Sequence, residues 1–120
     1  MKHIAFLLIS FCPTQVWADP PQIGNVITQA SSAGWTFSVT IRHADTGWDH
    51  YADSWRVELL DGTVLGTREL LHPHEHEQPF TRSLANIEVP LGTLTVYIRS
   101  RCNVDGWSET VKEVQLPQKE

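Results

Sequence analysis

Hydrophobic and polar positions alternate with a period of two along most of this chain. Trp35, Phe37, Val39 and Ile41 are separated by Thr36, Ser38, Thr40 and Arg42, a pattern that predicts a strand with one buried face. Trp55, Val57 and Leu59 are interleaved with Arg56 and Glu58 in the same way, and Asp61-Gly62 follows directly. An Asp-Gly pair supplies the positive φ values of a tight hairpin turn, so a return strand is expected over 63–71. Leu94, Val96, Ile98, Ser100 and Cys102 share one face of a further strand, while Thr95, Tyr97, Arg99 and Arg101 take the other. The Cys102 side chain is therefore expected to point inward, as are those of Trp35 and Trp55. Flanking strands are expected over 23–30, 81–89 and 108–116, which brings the number to seven. No window after residue 18 carries the 3.6-residue period of a helix.

Seven short strands joined by turns predict an all-β chain folded as a two-sheet antiparallel sandwich with Greek-key connections. Leu94-Thr95-Val96-Tyr97-Ile98-Arg99-Ser100-Arg101, followed by Cys102-Asn103-Val104-Asp105-Gly106-Trp107-Ser108-Glu109, resembles the last two strands of a fibronectin type III domain. There an alternating strand leads into an Asn-x-x-Gly-x-Ser turn. The resemblance is confined to the C-terminal third and implies a fibronectin III-like or immunoglobulin-like architecture. Leu94 departs from it, standing where that family usually places the Tyr of its corner hydrogen bond. Sandwiches of this kind carry unrelated functions, so the role has to be read from the loops.

The first eighteen residues read differently. Met1-Lys2-His3 leads into the apolar run Ile4 to Cys12, and Val16-Trp17-Ala18 precedes the polar Asp19-Pro20-Pro21. A basic start, an apolar run too short to span a bilayer and small residues at −3 and −1 predict a signal peptide over 1–18, cleaved after Ala18. Cys12 lacks the small preceding residue of a lipobox, because Phe11 stands there. The expected product is one secreted or periplasmic domain over 19–120, with no membrane span. Removal of Cys12 leaves Cys102 without a disulfide partner, so it is a buried inert thiol, a link to another molecule or a ligand.

The chain has a formal net charge of −5. Nucleic acid is excluded as an expected partner, since binding it depends on a basic patch that neutralises phosphates. Arg42, Arg56 and Arg82 fall on outward strand positions and are expected to form surface ion pairs of small energetic value.

Strand order also predicts where the chemistry gathers. In an up-and-down arrangement the connections after the second, fourth and sixth strands leave from one pole. These loops span 43–53, 72–80 and 103–107, and they contain His43, His50, His72, His74 and His76, all five histidines of the expected mature chain. Three of the five stand in His72-Pro73-His74-Glu75-His76-Glu77. Imidazoles close together with carboxylates beside them are what a copper or zinc site requires. His72, His74 and His76 project to one side of an extended segment, and His50 or His43 from the neighbouring loop could complete the shell. Asp49, Glu75 and Glu77 are candidate orienting carboxylates, and Cys102, if reachable, would shift preference toward copper.

Two other readings use the same residues. The histidines could simply be solvated, or bonded to Asp45, Asp49, Glu75 and Glu77 to shape the loops. Alternatively, Trp48, Tyr51, Phe80 and Trp107 could form a recognition surface for another exported protein or a carbohydrate. Enzymatic activity is not expected, because the chain has no nucleophile elbow, no phosphate-binding Gly loop and no His-Glu-x-x-His helix.

Overall fold

Alternating segments of the sequence become strands wherever one face can be buried. The computed structural model describes residues 19–118, in eight strands: β1 (Gln22–Ser31), β2 (Gly34–Arg42), β3 (Ala52–Glu58), β4 (Val64–Glu69), β5 (Phe80–Ile87), β6 (Thr95–Cys102), β7 (Gly106–Trp107) and β8 (Lys112–Gln115). The expected signal peptide over 1–18 lies outside the described residues. No helix is present among those described, and none is long and apolar enough to cross a membrane.

The strands form two antiparallel sheets, one in the order β1-β2-β5 and the other in the order β4-β3-β6-β7, with β8 also paired to β6. Arg101 pairs with Trp107, whereas Val96 pairs with Val114, so β7 and β8 occupy successive stretches of one edge of β6. The sequence predicts one continuous strand over 108–116, and the structure corrects this. The Ser108 hydroxyl accepts the Thr110 N–H at 3.2 Å, and the Ser108 carbonyl accepts from the Arg99 guanidinium at 2.5 Å. These local bonds turn the chain out of the ladder between β7 and β8.

Inward positions match the alternation, except that Leu94, expected on the buried face with Val96 and Ile98, precedes β6 and is 58% exposed. Phe37, Val39 and Ile41 of β2, Trp55 and Val57 of β3, Val96 and Ile98 of β6, and Phe80 and Ile87 of β5 form a core between the sheets. Removing this apolar surface from water is the main favourable contribution to folding. Cys102 is fully buried, and Trp35 packs against the core from a partly buried position. On the opposite face, Glu58 is held by Arg56 Nε at 2.6 Å and Arg99 Nε at 2.8 Å. Burial alone would raise the Glu58 pKa, but the hydrogen bonds from Arg99 and then Arg56 outweigh it and hold the carboxyl below its ordinary value.

Between β3 and β4 the expected turn is present, though as a longer connection over 59–63 in which Gly62, at φ 90°, and not Asp61 takes the positive φ; the Gly62 N–H is donated to the Leu59 carbonyl. Such a φ favours glycine. Asp61 supplies a second tie by accepting the Thr63 N–H. This turn leaves from one pole, and the β2–β3, β4–β5 and β6–β7 connections converge at the other.

Candidate metal centre

The convergence rests on side chains that reach from one loop to the next. Asp45, in the β2–β3 loop, is the most connected. Its Oδ1 accepts from His43 Nδ1 at 2.6 Å and from the Ala52 N–H at 2.9 Å, and its Oδ2 accepts from the His74 N–H at 2.8 Å. The carboxylate is buried, so these donors replace the water it gives up on folding. Gln78 adds a second tie, accepting the His43 N–H and donating to the His74 carbonyl. Asn103, in the β6–β7 turn, accepts the Tyr51 N–H and donates to the Trp48 carbonyl. All three loops are thereby locked together.

Within this frame three donors from distant parts of the chain meet. His43, His50 and Cys102 each offer one ligand atom, and the three atoms lie within 4.8 Å of one another. The His43 and His50 rings stand edge to face, with centroids 4.8 Å apart. His43 Nδ1 is committed to Asp45, which fixes the proton there and leaves Nε2 free to act as a ligand. His50 is half-buried, and its Nε2 has no hydrogen-bond partner although it is shielded from solvent. A buried polar nitrogen without a partner is costly and calls for an explanation. Cys102 Sγ accepts the Asp105 N–H at 3.3 Å and lies 3.7 Å from Asp105 Oδ2. The last position of β6 aims the thiol inward, and the turn that follows brings Asp105 back over it.

The expected His72, His74 and His76 set does not converge. His74 turns inward and stacks on Phe80 with ring centroids 3.8 Å apart, and its Nε2 accepts from Arg82 at 2.9 Å. His72 is exposed, with its ring 4.5 Å from that of His74, and His76 is exposed as well. The physical reason is tertiary: the segment bends at His72, Glu75 and His76 instead of running as a strand, and contacts with Asp45, Phe80 and Arg82 hold His74 inward while its neighbours stay in solvent. His50 and His43, expected as completing ligands, are instead in the central group, and Cys102, expected as an accessory, joins them.

Of the candidate orienting carboxylates, Asp49 and Glu75 are exposed, and Glu77 lies 3.9 Å from Arg82. The orienting role falls to Asp45, whose sequence signal was only its place two residues after His43. Among the aromatic candidates, Trp48 is 65% exposed and meets Tyr51 edge to face. Phe80 is core, and Trp107 is half-buried beneath the Arg56 guanidinium, 3.9 Å from the ring centroid. Neither of those two is a free recognition residue.

The His74 environment makes a test of its own. Burial, then the neighbouring Arg82 and His72 charges, hold its pKa below the ordinary imidazole value, against weaker opposition from Asp45 and Glu77. His74 therefore stays neutral in the fold at a pH where the unfolded chain has already taken up a proton. Stability from this group is fully present above about 6.5, the unfolded value, and is lost as pH falls below it. Urea unfolding at pH 7.5 and 5.5 is expected to show a smaller pH dependence for His74→Gln than for the parent. His76→Ala, at an exposed position, is expected to leave the dependence unchanged.

The fold and site define an all-β protein of two antiparallel sheets with a His/His/Cys donor group beneath interlocked loops at one pole. No protein-family model matches the chain, and no solved structure matches it. The chain is similar to a protein of Halomicrobium mukohataei described as "Putative lipoprotein", with 54% identity over 71 residues. The match covers 59% of this chain and 34% of that protein, so the chain spans about a third of the relative's length.

Proposed function

We propose that this chain is an exported, non-enzymatic binding protein of fibronectin type III-like architecture that holds one copper or zinc ion through His43, His50 and Cys102. The observation that carries the metal reading is the meeting of one ligand atom each from His43, His50 and Cys102 within 4.8 Å, at a His50 whose Nε2 is shielded and without a hydrogen-bond partner. Two imidazoles and a thiolate suit both metals, and a trigonal His2Cys set is one that copper takes readily. Tetrahedral bonds of ordinary length set neighbouring donors ~3.5 Å apart, so a group within 4.8 Å needs a contraction of about 1 Å. The Asp45–His43 bond supplies the carboxylate partner that metal-bound histidines usually have.

The strand orders β1-β2-β5 and β4-β3-β6-β7/β8, with the last two strands on one edge, support the seven-strand fibronectin-like reading. Export, to the periplasm or the medium, is supported by the leader pattern of residues 1–18 and by the lipoprotein description of the relative.

The test is titration of the purified protein over 19–120 with Zn(II) and with Cu(I) under reducing conditions. One equivalent is expected to bind, with binding lost in Cys102→Ser and in His50→Ala and retained in a His72→Ala/His76→Ala double variant. Binding that is weak, non-stoichiometric and removed by the double variant would place any metal on the exposed loop and refute the proposed centre.

The exposure of Trp48 favours a second reading, an aromatic surface for a protein or carbohydrate partner built on Trp48 and Tyr51. The two readings separate cleanly, because Trp48→Ala would remove partner binding and leave metal affinity intact.

A further inference from the structure

A buried metal centre needs a way in, and the fold has a cleft with Cys102 among the residues that line it. Pro20 and Pro21, ahead of β1, line it together with Asp105, Trp107 and Thr110. Its volume is about 320 Å3. The Pro20–Pro21 segment is tied to β6 where the buried Ser100 hydroxyl donates to the Pro21 carbonyl at 2.7 Å, and within the segment the Pro20 carbonyl accepts from Gln22 Nε2 at 3.0 Å. Ser100 is two residues before Cys102 on the same inward face of β6, so the tie lies one pleat from the thiol. Asp105 is exposed to solvent yet places Oδ2 3.7 Å from Cys102 Sγ. A tetrahedral ion bound to one sulfur and one carboxylate oxygen would set those two atoms about 3.6 Å apart. Asp105 stands outside the His43, His50 and Cys102 group. It is therefore suited to meeting an ion on its way in rather than to completing the buried shell.

We propose, resting on the metal reading above, that this cleft is the exchange port of the centre, with Asp105 and Cys102 as the first pair an incoming thiophilic cation meets and the Pro20–Pro21 segment as its strap. The cation is drawn to the exposed carboxylate and moves onto sulfur as the thiol loses its proton. The S–H bond breaks, the proton passes to Asp105 and on to solvent, and a sulfur lone pair forms the bond to the metal. No electron changes hands. His50 and His43 then take up the ion through one ring nitrogen each, and Asp105 is released.

Stopped-flow transfer of Zn(II) to and from a chromophoric chelator tests this with the protein over 19–120, Ser100→Ala and Asp105→Asn. Asp105→Asn is expected to slow loading by about tenfold, since a carboxylate at the mouth concentrates cations locally, while the equilibrium affinity changes far less. Ser100→Ala is expected to speed both loading and release by up to about tenfold, the equivalent of one lost hydrogen bond holding the strap. Alkylation of Cys102 by iodoacetamide gives a readout that needs no metal in the rate step. It should be faster in metal-free Ser100→Ala than in the metal-free parent, and one equivalent of Zn(II) should block it.

If the parent binds one Zn(II) and both variants exchange at its rate, the port is overturned and the ion enters past the half-exposed His50, with the metal reading intact. If the parent binds no stoichiometric metal, both inferences fall together. Alkylation that is no faster in Ser100→Ala also overturns the strap.

Discussion

Replacing Asp45 with Ala is expected to destabilise the fold by about 3–5 kcal/mol, although the residue lies in a loop. The substitution leaves three donors without an acceptor: His43 Nδ1, the Ala52 N–H and the His74 N–H. Each belongs to a different stretch of the pole, so the loss is felt by both loops and by the first residue of β3 at once. Asp45→Asn should be milder, because the amide retains one acceptor oxygen while losing the charge that strengthens these bonds. Urea unfolding with an unchanged m-value would measure both. A cost below about 1 kcal/mol for the Ala variant would mean that water fills the space and satisfies the donors, and Asp45 would not be the tie proposed for it. On the proposed metal reading, loss of the carboxylate also frees the His43 ring, so metal affinity should fall by ~10–100-fold in the Ala variant, as it does when an orienting partner is removed.

Trp55→Ala is expected to cost about 3–5 kcal/mol, through the transfer term of a large aromatic and the cavity it leaves. Trp55 has no exposed surface and sits on β3, the strand flanked by β4 and β6 at the centre of the larger sheet. Its indole Nε1, however, is a buried donor without a partner. Trp55→Phe gives up part of the apolar surface but also removes an unpaired N–H, and leaving such a group buried costs ~1–3 kcal/mol. The Phe variant should therefore lose well under half of what the Ala variant loses. Equal losses would show that indole volume dominates and that the Nε1 atom is hydrogen-bonded in solution, for instance to a buried water.

Much of this architecture is legible from the period of two. The alternation from Trp35 to Ile41 marks the face of β2 that is buried, and the alternation from Leu94 to Cys102 brings the thiol inward. Asp61-Gly62 marks a hairpin connection in which Gly62 takes a positive φ. The edge along β6 was harder to read. Nothing in the apolar pattern of 108–116 signals that Ser108 would satisfy its own turn and interrupt the strand, because that choice depends on a side-chain hydroxyl competing with a ladder bond.

The candidate site divides along the same line. Strand order placed the three loops at one pole, and Asp45, Gln78 and Asn103 join them there. The His-Pro-His-Glu-His run was the loudest chemical signal in the chain, yet its histidines do not share a point in space. In a strand, side-chain direction follows from position, and spacing is informative. In a loop held by Pro73, direction is set by contacts with residues far away in sequence. His74 answers to Phe80 and Arg82, and His43 answers to Asp45.

By itself the sequence determined the all-β class, which residues face inward and which loops share an end, because those follow from local periodicity and the burial of apolar surface. Only the tertiary structure decided that His43, His50 and Cys102 are the donors that meet. Cys102 lies more than fifty residues beyond His43 along the chain, and packing of the sheets and a buried carboxylate bring the two together. Hydrogen-bond demands of that kind arise only after the strands have packed, when each buried polar atom must find whatever partner the fold has placed beside it.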